Sequence, residues 1–81
     1  MGNREPRRTF GQVIREFRRR ADVTQEDLAE NAGLHRTYIS LLERGLRNPS
    51  LTVIQQLASA LKVRMTDLIA EFEARLEGGS V

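Results

Sequence analysis

Apolar side chains in this 81-residue chain recur at the three-and-four spacing of a helical face, and no run alternates as a half-buried strand would. That pattern confines the chain to an all-α fold. Phe10, Val13, Ile14, Phe17 and Ala21 form the first stripe, with Thr9 placed to cap its helix. Gly11 interrupts the stripe at a cost of about 1 kcal/mol against Ala, which marks it for close approach by another helix. Thr24 and Asp27 are spaced as a capping box for a short second helix, whose inner face takes Leu28, Ala29 and Ala32 and which ends at Gly33. A third helix starts near His35 or Arg36 and is closed by Gly45. Asn48-Pro49 forces a turn, Ser50 caps, and Leu51, Ile54, Leu57, Ala58 and Leu61 give the fourth helix a buried stripe. The fifth helix runs from about Met65 to Leu76.

Five helices in so short a chain make one domain, which buries only about 60 to 65% of its unfolded surface and leaves no room for a large enclosed active site. Residues 1–8 carry Gly, Pro and charges without periodicity and read as a flexible basic arm. Residues 9–77 form the domain, and residues 78–81 a flexible tail. Cysteine is absent, so neither a disulfide framework nor a thiolate metal site is available. The single His35 has no second ligand at metal spacing, and Ser40 and Ser50 have no activating His or Lys beside them. No metal, cofactor, small-molecule ligand or enzymatic activity is expected. No apolar run nears the roughly 20 residues of a membrane span, and the Arg-rich start lacks the apolar segment of a secretory signal. The expected setting is the cytoplasm.

Charge narrows the function. The formal net charge is +2, yet twelve of the thirteen basic residues are Arg, whose planar fork suits phosphates and guanine edges better than an ammonium does. The third helix concentrates this chemistry. On a wheel of about 100° per residue its inner face takes Ile39, Leu42, Glu43 and Leu46, and its outer face Thr37, Tyr38, Ser40, Leu41 and Arg44, with Arg36 at the boundary in the first turn. The outer face has no acid, where a solvated helix would more often pair Glu with Lys. Arg, hydroxyls and one apolar group are what major-groove base edges ask for. The run Arg18-Arg19-Arg20 reads as a solvated helix end, with phosphate contact as the other reading. Arg4, Arg7 and Arg8 either enter a minor groove or stay free in solution.

The last helix carries Met65, Ile69, Phe72 and Leu76 at spacings of four, three and four, beside Leu68. Such a seam either meets a second subunit, with Leu68 serving the chain's own core, or belongs wholly to that core.

The segment TQEDLAENAGLHRTYISLLERGLRNPSL resembles the helix-turn-helix of the Xre and phage-repressor type, and the wider likeness runs from about Phe10 to Leu68. Within that family, RTYIS followed by ERGLRN is most similar to controller proteins of restriction-modification systems. The resemblance implies a five-helix, lambda-repressor-like domain in which helices 2 and 3 form the helix-turn-helix and helix 3 enters the major groove. It implies a sequence-specific regulator of transcription that binds double-stranded DNA as a homodimer on a pseudo-palindromic operator, with RNA polymerase as a further candidate partner. Carried over, Arg36, Thr37, Tyr38, Ser40 and Leu41 become base readers. Gln25, His35, Arg44, Arg47 and Asn48 become backbone contacts, Arg18 and Glu43 a buried structural ion pair, and Met65, Ile69, Phe72 and Leu76 a dimer interface. Asp22 stands where the family usually has Gly, so the turn after helix 1 is expected to be strained or differently shaped. A second reading, from another functional class, is an antitoxin or other protein-interaction module whose main partner is a protein.

Overall fold

The computed structural model describes residues 5–78, which form five α-helices and, among those residues, no strand: α1 Pro6–Arg20, α2 Gln25–Ala32, α3 Arg36–Glu43, α4 Leu51–Leu61 and α5 Met65–Leu76. No helix among them is long and apolar enough to cross a membrane. Residues 1–4, including Arg4 of the expected arm, and residues 79–81 of the expected tail lie outside the described residues.

The helix ends follow local chemistry, with one correction. The first helix begins at Pro6, not after Thr9: the Glu5 side chain accepts a hydrogen bond from the Arg8 N–H, and Pro occupies the first turn, where its missing N–H is no loss. Thr9 is instead a buried residue inside the helix, so Pro6, Arg7 and Arg8 belong to the domain rather than to an arm. In α2 the capping box is complete, with the Asp27 N–H donating to Thr24 Oγ1 and the Thr24 N–H to Asp27 Oδ2. That helix ends at Gly33, at φ 72°. Ser50 caps α4 through the Val53 N–H, and Asp67 accepts from the Arg64 N–H at the start of α5. Two non-glycine residues take left-handed backbone, Asp22 at φ 60° and Lys62 at φ 59°. Nothing in the sequence singles out Lys62, which ends α4; Asp22 holds the strained turn expected of it.

The packing joins α1 to α3 and α5, α2 to α3 and α4, and α4 to α5. All five helices feed one core, in which Val13, Leu28, Ile39, Leu57 and Leu68 are essentially inaccessible. Each such side chain stabilises the fold by about 1.5 to 3 kcal/mol through removal from water. Gly11 sits where α1 crosses the end of α3, and a side chain there would run into the carbonyl oxygens of Leu42 and Glu43. Gly45, at φ 78°, turns the chain out of α3 so tightly that a Cβ would lie 2.7 Å from Arg8 Cα. Only glycine meets both demands.

Two apolar residues leave the stripes assigned to them. Leu46, expected on the inner face of α3, is 48% exposed because the helix stops at Glu43 and Gly45 redirects the chain. Leu51, expected in the buried stripe of α4, is 75% exposed at the first position of that helix.

Candidate nucleic-acid interface

At the base of the interface lies a charged platform. Glu43, the last residue of α3, has a side chain only 3% exposed, and an isolated carboxylate would be costly there. It is answered twice by Arg18 of α1, with Nε donating to Oε2 at 2.7 Å and Nη2 to Oε1 at 3.1 Å. Arg18 Nη1 also donates to the Val23 carbonyl oxygen at 2.9 Å, fastening the strained turn at Asp22. Gln25, the first residue of α2, donates its Nε2 to Glu43 Oε1 at 2.9 Å. One carboxylate thus ties together the end of α1, the start of α2 and the end of α3, and no buried side-chain polar atom among the described residues lacks a partner. The Gln25–Glu43 bond is not legible in the sequence, because 18 residues separate the two and only the α2–α3 turn brings them together.

On this platform α3 turns Arg36, Thr37 and Arg44 to solvent as exposed residues, and Ser40 and Leu41 as half-exposed ones. His35 is exposed at the N-cap and makes no capping bond. Tyr38 departs from the outward position expected of it: it is half-buried and packs its ring against the core. Burial raises the pKa of its phenol while the nearby Arg47 pulls it down, so near neutral pH Tyr38 is an uncharged hydrogen-bonding group at the rim of the helix. Arg47 and Asn48 are exposed in the loop after Gly45, where Arg47 Nη1 donates to the Leu46 carbonyl oxygen. An open cleft of about 440 Å³ lies between the ends of α1, α2 and α3, lined by Arg18, Arg19, Gln25 and Arg36 among others. Base-edge chemistry on α3 is therefore flanked by donors suited to phosphates on α2 and in the following loop.

The four seam residues of α5 do not form one exposed stripe. Met65 and Phe72 pack against the core, Phe72 meeting Phe10 edge-on with ring centroids 5.6 Å apart. Leu76 is half-buried, and Ile69 alone is exposed, at 39%. Ile69 and Phe72 line an apolar cavity of about 150 Å³ together with Pro6, Phe10, Pro49 and Ile54. Sequence spacing did not reveal this cavity, whose lining comes from α1, α4, α5 and the loop before α4.

A short α2, a left-handed turn and a polar-faced α3 held on a buried ion pair define the class of the molecule. The model of the family described as Helix-turn-helix matches residues 14–68, and the chain belongs to that family. It is 48% identical over 61 residues to the Control protein C.BamHI of Bacillus amyloliquefaciens, covering 74% of this chain and 75% of that protein. It is 38% identical over 63 residues to the Immunity repressor protein of Bacillus phage phi105, of which it spans only 44%. Among solved structures, the restriction-modification controller protein C.AhdI from Aeromonas hydrophila superposes with a TM-score of 0.74 at 44% identity, over 75% of this chain and 92% of that one.

Proposed function

We propose that this chain is a sequence-specific regulator of transcription that binds double-stranded DNA as a homodimer on a pseudo-palindromic operator, in the manner of a restriction-modification controller protein. The observation that carries this reading is the solvent face of α3. It presents Arg36, Thr37 and Arg44 with Ser40 and Leu41, while the only acid of the helix, Glu43, is turned inward and paired. Arg36 supplies the fork for a guanine edge, Thr37 and Ser40 the small polar contacts, Leu41 an apolar group for a thymine methyl, and Tyr38 a hydroxyl at the rim. Gln25, His35, Arg44, Arg47 and Asn48 hold the phosphates that fix register. Ile69, above its apolar cavity, is the centre of the two-fold contact, with Leu76 beside it and Met65 and Phe72 supporting it from the core. Regulation then comes from concentration, through dimerisation on DNA in the cytoplasm, and RNA polymerase is the natural second partner of a protein seated at a promoter.

A gel shift of promoter-length duplexes in rising salt and excess random competitor tests the reading. Retention of a discrete complex on one duplex at competitor levels that strip all others is the expected result. Binding that is equal on every duplex, together with tight capture of a protein partner, is the result of the antitoxin reading.

A further inference from the structure

The solvent side of α1 carries a basic feature that the α3 face does not use. Residues 8, 12, 15 and 19 follow at spacings of four, three and four, so Arg8, Gln12, Arg15 and Arg19 share one ridge. All four are exposed, while Phe10, Val13 and Ile14 on the opposite side are buried. The acids nearby are engaged elsewhere or out of reach. Glu5 pairs with Arg7 at 3.2 Å, and Glu16 takes both Arg20 and Arg75. Asp22 and Glu26 line the cleft beside Arg19, but among the described residues no carboxylate lies within 4.0 Å of the Arg8, Arg15 or Arg19 guanidinium. Three like charges along one helix repel each other, and a polyanion relieves that repulsion.

Both ends of the ridge adjoin the DNA-reading face. Arg19 lines the cleft that also holds Gln25 and Arg36. Arg8 packs its backbone against Gly45, two residues before Arg47. At 1.5 Å per residue the ridge is about 16 Å long, the rise of roughly five nucleotides of one strand. We infer that the Arg8, Arg15 and Arg19 ridge grips the sugar-phosphate backbone of the duplex flanking the operator, adding a contact that is blind to sequence. This rests on the DNA-binding reading above. Guanidinium forks match carboxylates as well as phosphates, and it is the continuity of the ridge with phosphate-facing residues at both ends that selects DNA over an acidic protein.

The test uses the whole chain and the tightest duplex from a random-pool selection, prepared both trimmed to its site and extended by ten base pairs on each side. For the wild type, anisotropy titrations in low salt are expected to show about tenfold tighter binding to the extended duplex, a gain that fades as salt rises. The triple variant Arg8→Gln, Arg15→Gln, Arg19→Gln, exposed at all three positions, is expected to bind the trimmed duplex as the wild type does and to lose the gain. Its log-log salt slope on the extended duplex should be shallower by up to about 2.7 per protomer, 0.9 for each phosphate released. Persistence of the gain in the variant, or its absence from the wild type, overturns the inference while leaving site binding intact. Equal loss on trimmed and extended duplexes also overturns it, because the ridge then belongs to the site itself. Ridge-dependent binding of poly-glutamate without any flank gain would instead assign the ridge to an acidic protein. Failure of the wild type to prefer any duplex refutes the DNA-binding reading, and the ridge inference with it.

Discussion

Arg36 and Arg47 both stand exposed near the putative groove walls' two kinds of chemistry, bases and phosphates, and a single substitution at each separates them. If Arg36 forks onto guanine, Arg36→Ala should cost about 1 to 3 kcal/mol on the cognate site and relax preference at one base pair of each half-site. Arg47→Ala should weaken binding to all sequences alike and flatten the salt dependence. Competition titrations against single-base operator variants distinguish the two patterns, and a uniform loss for Arg36→Ala would make it a phosphate clamp. Glu43 belongs to a different kind of residue, since its carboxylate accepts from Arg18 and Gln25 in a nearly inaccessible position. Removing it strands the Arg18 guanidinium, so Glu43→Ala should destabilise the fold by about 3 to 5 kcal/mol in denaturant unfolding. Unchanged stability with lost DNA binding would show that Glu43 faces DNA and not the platform.

Each of the five helices was legible from apolar spacing because its buried stripe spans at least two turns, and Thr24, Gly33, Gly45 and Ser50 marked ends by their own chemistry. The start of α1 was not, since Thr9 and Glu5 are both plausible caps and only burial of Thr9 decides between them. The outward residues of α3 were legible because no acid interrupts them. Tyr38 was not, because a half-buried ring needs tertiary neighbours that a helical wheel omits. The seam of α5 shows the same limit: spacing groups Met65, Ile69, Phe72 and Leu76, whereas Phe10 claims Phe72 for the core. Ile69 is therefore the position at which to test the two-fold contact. Ile69→Arg should leave the fold intact and place like charges across the interface, giving monomers in sedimentation equilibrium. Binding to a two-half-site duplex should fall by about a hundredfold or more as tethering is lost. A dimer that survives Ile69→Arg forms through another face.

For the molecule as a whole, one domain with one core and one reading helix per chain has a geometric consequence. A single α3 of eight residues reaches only a few base edges, so useful specificity requires a second copy related by a two-fold axis. Two copies of α3 then enter successive major grooves about 34 Å apart on one side of the duplex. Selection of bound duplexes from a random pool reads half-site, symmetry and spacing in one measurement. The predicted outcome is an enriched pair of inverted half-sites whose centres lie about 10 base pairs apart, or a multiple of that. A bound pool with no enriched sequence, or with one unrepeated half-site, would contradict a dimeric reader built on α3.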